Sequence, residues 1–82
     1  MTENGKERSC LVGAKQVRRA LRDGIAEKIL FARDADPALI EPLLDVCQEQ
    51  SVPAEPVRSM RELGHLCGIE TKAAIAAFVR KN

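Results

Sequence analysis

Four basic side chains recur along residues 13–24 at the spacing of one helix face. They stand at positions i, i+3, i+4 and i+7, so a helix here would carry a cationic stripe. These bases are Lys15, Arg18, Arg19 and Arg22. The preceding glycine leaves the backbone accessible where the free N–H groups of a helix start attract anions. The pattern points first to nucleic acid, with an ordinary solvated helix face as the alternative.

Side chains suited to catalysis are few in this chain. The single histidine, His65, falls inside a short amphipathic helix pattern, and no serine or cysteine stands in a nucleophile motif. Asp34 and Asp36 are explained by a turn and a helix cap, and the local sequence supplies too few oxygen ligands for a metal. The sequence therefore predicts a protein that is not an enzyme and that needs no metal or cofactor.

The three cysteines, Cys10, Cys47 and Cys67, are widely spaced. An odd number without a CxxC pair argues against a disulfide framework and against a zinc site. Reduced, mostly buried thiols in a cytoplasmic protein are the simplest interpretation. The polar residues 1–9 do not resemble a signal peptide, and no apolar run is long enough to span a bilayer.

The distribution of charge is more informative than the net charge of +1. Residues 13–33 hold six bases and two acids, whereas residues 34–57 hold six acids and no base. Such a chain can turn a basic face to a polyanion. Phe31 and Phe78 are the only aromatic residues, which disfavours a stacking platform for single strands. Phosphates and base edges of a structured RNA are the better candidate ligands.

Alternating strand and helix patterns predict the order β-α-β-α-β-α-β in one domain over residues 10–82, after a flexible tail over residues 1–9. This order favours an α/β fold, a three-layer α/β/α sandwich with a small mixed four-stranded sheet. The predicted segments are an edge strand at 10–12, helix 13–23, a central strand at 25–32, helix 37–50, an extended edge at 52–57, a helix from 60 to 66 or 67, and residues 73–79. The last segment stays open, because its alanines favour a helix while its apolar residues also allow a buried strand.

Local signals mark where two of the helices begin. Asp36 is suited to cap the second helix, and Pro37 is suited to its first position. Ser59 and Glu62 have the spacing of a capping box before the third.

Four motifs lie in a fixed order between residues 13 and 70, within a resemblance that extends over about residues 11–79. They are Gly13-Ala14-Lys15-Gln16-Val17 with Arg19, Ala32-Arg33-Asp34-Ala35-Asp36-Pro37, Val52-Pro53, and Ser59 with Leu63-Gly64-His65-Leu66-Cys67-Gly68-Ile69-Glu70. In order and spacing they resemble the kink-turn RNA-binding ribosomal protein family, the large-subunit L-seven-Ae group, and most of all its small bacterial YbxF-type members. The resemblance implies that residues 73–79 form a strand. It also implies binding to kink-turns, internal loops with tandem sheared G·A pairs that bend an RNA duplex sharply.

The resemblance also implies roles for the residues that begin the basic helix. Gly13 and Ala14 would allow the RNA to approach the backbone closely. Lys15 and Gln16 would contact the G·A edges in the opened major groove, and Arg19 would contact the RNA nearby.

Two further groups of contacts are implied by the same resemblance. Asp36 and Ile40 match positions that hold the flipped-out loop nucleotide. Ile69 begins a second contact loop, where an apolar residue covers exposed bases. The residues that follow it in this loop are Glu70, Thr71 and Lys72.

Lys15 and Gln16 depart from the Asn-Glu pair of many archaeal and eukaryotic members. A carboxylate accepts two hydrogen bonds from a guanine edge, whereas neutral Gln16 accepts through one oxygen. Lys15 adds attraction to phosphates. We therefore expect a larger electrostatic share of binding and a steeper salt dependence.

Two functional classes remain open at this point. The first is a monomeric cytoplasmic RNA-binding module whose target is ribosomal RNA, a riboswitch or another noncoding RNA, and which could be a component of the ribosome. The second is a protein–protein adaptor of the same fold, with residues 34–57 as its acidic surface and with weak or vestigial RNA binding.

Overall fold

A computed structural model of the protein describes residues 8–80, which contain four strands and three helices. The strands are β1 (Arg8–Val12), β2 (Ala26–Ala32), β3 (Ala54–Val57) and β4 (Ile75–Arg80). The helices are α1 (Ala14–Arg22), α2 (Pro37–Gln50) and α3 (Met60–Leu66). The predicted alternation of strands and helices is confirmed.

The first strand begins two residues before its predicted start. The backbone of Arg8 and Ser9 pairs with β4, because ladder hydrogen bonds require no apolar side chain. These two residues belong to the sheet, and not to the predicted tail. The rest of that tail, residues 1–7, lies outside the described residues.

The sheet is mixed and has the strand order β1-β4-β2-β3. Strand β4 pairs antiparallel with both β1 and β2, and β2 pairs parallel with β3. Strands β1 and β3 therefore form the edges, as predicted. Pro56 lies in β3, where a missing N–H group interrupts no central ladder.

The alanine-rich segment at residues 73–79 contributes to a central strand. Ala76 and Ala77 are 1% and 0% exposed, and Ile75 beside them is fully buried. A strand covered on both faces leaves little room for side chains, so alanine fits here despite its preference for helices. The resemblance therefore predicted this element better than local propensity did.

The helices cover the two faces of the sheet and give the predicted three layers. Helix α1 packs on α2 and on β4, while α3 packs on β2, β3 and β4. Cys10, which is paired with Phe78 in the sheet, touches Cys67 at the end of α3. The face of the sheet that carries Cys10 therefore lies against α3, and the opposite face lies against α1 and α2.

An aliphatic core holds the layers together. Its largest fully buried side chains are Leu21, Ile29, Leu43, Leu63, Ile75, Val17 and Cys47. Among the side chains of residues 10–79, no polar or charged one is buried. The described helices include none that is both long and apolar enough to cross a membrane.

Two helices begin at the predicted caps. The Oδ1 atom of Asp36 accepts a hydrogen bond from the backbone N–H of Ala38 at 3.0 Å. The Ser59 hydroxyl accepts one from the N–H of Glu62 at 3.1 Å. The Glu62 carboxylate lies 3.9 Å from Nε of Arg58. Each cap satisfies an N–H group that the helix itself leaves unpaired.

Candidate nucleic-acid interface

Helix α1 separates an apolar side from a cationic side. Val17, Ala20 and Leu21 are buried, with Val17 fully inaccessible to solvent. The opposite side is exposed, and we call it the cationic face: Lys15, Arg18, Arg19 and Arg22. Packing of the short apolar side on β4 and α2 thus fixes the direction in which the cations point.

The cationic face surrounds a shallow depression of about 270 Å³. Its lining consists of the four cations and Gln16, and contains no acidic side chain. The first turn of α1 contains no acid either. The ion pairs of Lys28 with Glu55 and of Arg58 with Glu62 lie on other elements. The arrangement offers several positive charges and one amide to a single ligand.

The start of α1 is open and depends on a glycine. Gly13 has φ 104° and ψ 150°, a conformation that is almost restricted to glycine. Apart from Gly13 itself and its two chain neighbours, no residue has a heavy atom within 4 Å of the position that a Cβ would occupy. Its N–H group donates to the carbonyl of Ile75 at 2.9 Å, which ties the start of the helix to β4. Ala14, the next residue, is half-buried, while Lys15 and Gln16 are exposed.

The predicted second contact loop, residues 69–72, is held by α3 at both ends. The N–H of Ile69 donates to the carbonyl of Gly64, and the N–H of Ala73 donates to the carbonyl of Met60, each at 3.0 Å. Within the loop Ile69 is half-buried, and the three residues that follow are exposed: Glu70, Thr71 and Lys72. The exposed groups combine an acid, a hydroxyl and a base.

An open depression of about 870 Å³ adjoins this loop. Asp34, Arg61 and His65 line it together with the loop residues. None of these three is among the predicted contact residues, and the sequence predicts for His65 only a place in a short amphipathic helix. Arg61 and His65 are four residues apart on α3, so their shared face was the available signal.

The two residues of the predicted nucleotide-holding pair differ from each other in exposure. Asp36 is exposed, but its Oδ1 atom caps α2. Ile40 is only 4% exposed and belongs to the core. It lines a shallow depression of about 160 Å³, so any contact that it makes is limited to the floor of that depression.

A neighbouring aspartate connects two loops of the site. The Oδ1 atom of Asp34 accepts a hydrogen bond from the N–H of Met60 at 2.8 Å. This bond joins the turn after β2 to the first residue of α3, which carries the 69–72 loop. Asp34 is therefore more than the turn former that its sequence context indicated.

Sheet topology brings the three predicted groups to the same end of the molecule. β1 and β2 end where the antiparallel β4 begins. Gly13 directly follows β1, the 69–72 loop precedes β4, and Asp36 follows the turn after β2. The three groups are far apart in the sequence but lie together at one end of the sheet.

The family model of the ribosomal protein L7Ae/L30e/S12e/Gadd45 family matches residues 3–82. The chain belongs to this family. An RNA-binding protein of Geobacillus sp. (strain WCH70) is 41% identical over 70 residues, which cover 85% of each chain. The RNA-binding protein YbxF of Geobacillus stearothermophilus is 40% identical over 70 residues, again 85% of each chain. The resemblance to YbxF-type members is thereby confirmed.

A solved structure supports the fold as well. The 15.5kD RNA binding protein of Giardia lamblia superposes with a TM-score of 0.81 at 27% identity. The match covers 90% of this chain and 62% of that chain. The small α/β architecture with a four-stranded mixed sheet is therefore that of the family.

Proposed function

We propose that this chain is an RNA-binding protein that recognises kink-turns and stabilises their bent form. The observation that carries the proposal is the cationic face of α1, which is exposed, lies beside an open helix start and surrounds a depression without acids. A polyanion gains from several aligned cations and from the N–H groups of the first turn. The names of the two Geobacillus relatives, both called RNA-binding proteins, support the same ligand class.

Recognition of a bent duplex follows from the composition of the proposed interface. A regular A-form helix hides its base edges in a deep, narrow major groove, and a kink opens that groove. Helix α1 would enter with its glycine end first. Lys15 would donate to purine acceptors, and Gln16 would both donate and accept. Arg19, one turn further along, would contact the RNA beside the G·A pairs.

The other end of the interface would hold the loop of the kink. Ile69 would cover unstacked bases, while the groups that follow it contact the sugar–phosphate backbone. The floor that includes Ile40 would receive the flipped-out nucleotide beside Asp36. Because the protein binds only the bent state, it would shift the RNA population toward that state without any chemical step.

Titration against matched RNAs tests the proposal. One duplex carries a kink-turn, a second has its G·A pairs replaced by Watson–Crick pairs, and both carry dyes that report bending. We expect binding to the first to be tighter by about 100-fold, together with a rise in energy transfer. Equal weak binding to both duplexes would contradict the proposal and leave the adaptor function as the better hypothesis.

Association with the ribosome is a separate part of the proposal. The chain would sediment with ribosomes through a high-salt cushion if ribosomal RNA were its target. Recovery of a different RNA that carries a kink-turn, after crosslinking in cells, would change the proposed target and leave the proposed specificity in place.

A further inference from the structure

Two cysteines that are 57 residues apart in the sequence meet in the fold. The thiol of Cys10 on β1 donates to Sγ of Cys67, the residue after α3, and the two sulfur atoms are 2.8 Å apart. Both side chains are half-buried, whereas the third cysteine, Cys47, is buried in α2. The proposed RNA interface uses none of the three.

The separation of the two sulfur atoms is close to that of a covalent bond. A disulfide has an S–S length of about 2.05 Å, so the atoms need to approach by roughly 0.8 Å. Cys10 lies in a strand and Cys67 at the last turn of a helix that packs on the same sheet face. Small rotations about the two Cα–Cβ bonds supply such a movement without a change in the fold.

We propose that Cys10 and Cys67 form a redox-active thiol pair that reacts with small-molecule disulfides and closes into an intramolecular disulfide between β1 and α3. The inference does not depend on the proposed RNA function, since it rests on the two sulfur atoms alone. It assigns a modification site with glutathione-type disulfides as the class of reactant.

The reaction proceeds by two exchanges. The Cys67 thiolate attacks one sulfur of oxidised glutathione, forming a mixed disulfide and releasing one glutathione thiolate, which takes up a proton. Cys10 then loses its proton to solvent and attacks Sγ of Cys67, which releases the second glutathione. Overall, the protein thiols lose two electrons and two protons, and one oxidised glutathione becomes two reduced molecules.

The order of attack follows from the environment of Cys10. Burial, together with the hydrogen bond to Cys67, raises the pKa of Cys10 to about 12. Cys10 therefore keeps its proton at neutral pH and is not the thiol that reacts first. Its sulfur already lies beside Sγ of Cys67, so the second exchange is intramolecular. It follows once Cys67 is held in the mixed disulfide, because Cys67 then no longer adds to the raised pKa of Cys10.

The bond would join the two segments that lead into the proposed interface. Cys10 is three residues before Gly13, and Cys67 is two residues before Ile69. A covalent link that closes a loop of this length removes many conformations of the unfolded chain. We expect the melting temperature to rise by on the order of 10 °C.

Incubation of the reduced protein with oxidised glutathione, followed by intact-mass analysis, tests the proposal. We expect a loss of two hydrogens, a fall from three titratable thiols to one, and a peptide that links Cys10 to Cys67. The Cys47→Ala variant should give the same products. The Cys10→Ser variant should stop at a stable mixed disulfide with one added glutathione.

Three results would overturn the inference. The first is a mixed disulfide with one added glutathione that persists on the unchanged protein. The second is a link to Cys47 or between two chains. The third is an unchanged mass at a glutathione poise that oxidises an ordinary protein dithiol. Because these readouts are made on the unchanged protein, they stay decisive even if a variant fails to fold.

Discussion

Gly64 of α3 and the carbonyl of Thr71 approach so closely that no side chain fits between them. A Cβ atom at Gly64 would overlap the Thr71 oxygen and would lie 3.1 Å from Cα of Lys72. Both obstacles are backbone atoms, which cannot rotate away as a flexible side chain could. The backbone of α3 thus sets the position of the 69–72 loop, and this single glycine permits the contact.

Replacing this glycine should therefore affect both stability and RNA binding. Gly64→Ala forces the loop away from α3, and we expect a loss of about 1–3 kcal/mol in the free energy of unfolding. Affinity for kink-turn RNA should fall even where the variant is fully folded, because the loop moves. Urea unfolding and calorimetric titration measure the two effects. Leu66→Ala, on the same helix at a side chain 56% exposed, is the control and should change stability by less than about 0.5 kcal/mol.

Alanine at the proposed base-contacting positions should weaken binding without loosening the fold. Lys15, Gln16 and Arg19 are exposed, so their removal leaves no cavity. We expect Lys15→Ala, Gln16→Ala and Arg19→Ala each to cost about 1–3 kcal/mol of binding free energy. Gel shifts and thermal melts measure the two properties.

Lys28→Ala provides a charge-matched control for these variants. Lys28 is paired with Glu55, toward the opposite end of the sheet from the proposed interface. Its loss should leave RNA affinity nearly unchanged and should reduce stability by at most about 1 kcal/mol. Unchanged affinity in all three α1 variants would remove the basis for the proposed interface.

The outer cations of the same face should act mainly through phosphates. Arg18→Gln and Arg22→Gln remove one charge each while keeping a polar side chain of similar reach. We expect each change to reduce the slope of log Kd against log salt by roughly 0.7–0.9 if one phosphate contact is lost. Affinity should drop by a similar factor for kinked and regular duplexes. A loss confined to the kinked RNA would instead assign these arginines to base recognition.

Asparagine should distinguish two glycines with different backbone demands. Gly68 has φ 76° and follows α3 in a turn where the N–H of Ile69 bonds back to Gly64, a position that often accepts asparagine. Gly13 combines φ 104° with ψ 150°, where asparagine offers no relief. We expect Gly13→Asn to cost about 1–3 kcal/mol of stability and Gly68→Asn about 1 kcal/mol or less. Equal losses in the free energy of unfolding for the two variants, measured by chemical denaturation, would contradict the backbone conformation described for Gly13.

The thiol of Cys10 should make the stability of the reduced protein depend on alkaline pH. Burial raises its pKa from 9.0 to about 12, so the folded state keeps a proton that the unfolded chain loses. The contribution to stability is therefore complete below pH 9 and disappears as the pH rises toward 12. Urea unfolding at pH 8 and pH 10.5 should show a smaller decline in Cys10→Ser than in the unchanged protein. An equal decline in both would mean that other groups cause it.

Local signals predicted most of the elements of this fold. Helix α1 was readable because its charges and apolar residues both repeat at the helical period. Helices α2 and α3 begin at side chains that form caps within three residues, as at Asp36 and Ser59. Pro53 and Pro56 predicted an edge position for β3, because a proline lacks the N–H group that a central strand needs for its hydrogen bonds.

Contacts between residues far apart in the sequence could not be predicted from such local signals. The alanines of β4 favour a helix when taken alone, and only the two covering layers make a strand the better choice. The hydrogen bond of Asp34 to Met60 joins residues 26 apart, and no spacing rule connects them. The same holds for the two sulfur atoms of Cys10 and Cys67. Periodicity describes what one element needs, whereas these contacts depend on which elements become neighbours.

The position of β4 has a consequence for the way in which the fold is reached during synthesis. β1 and β2 are both made before β4, yet neither pairs with the other in the sheet, because β4 lies between them. A nascent chain that lacks residues 75–80 would thus have α1 and α2 without a completed sheet to cover. Docking of α1 and α2 on the sheet therefore has to wait for β4. Until then, the edges of β1 and β2 that will pair with β4 are unpaired, and a chaperone or a non-native strand would bind there.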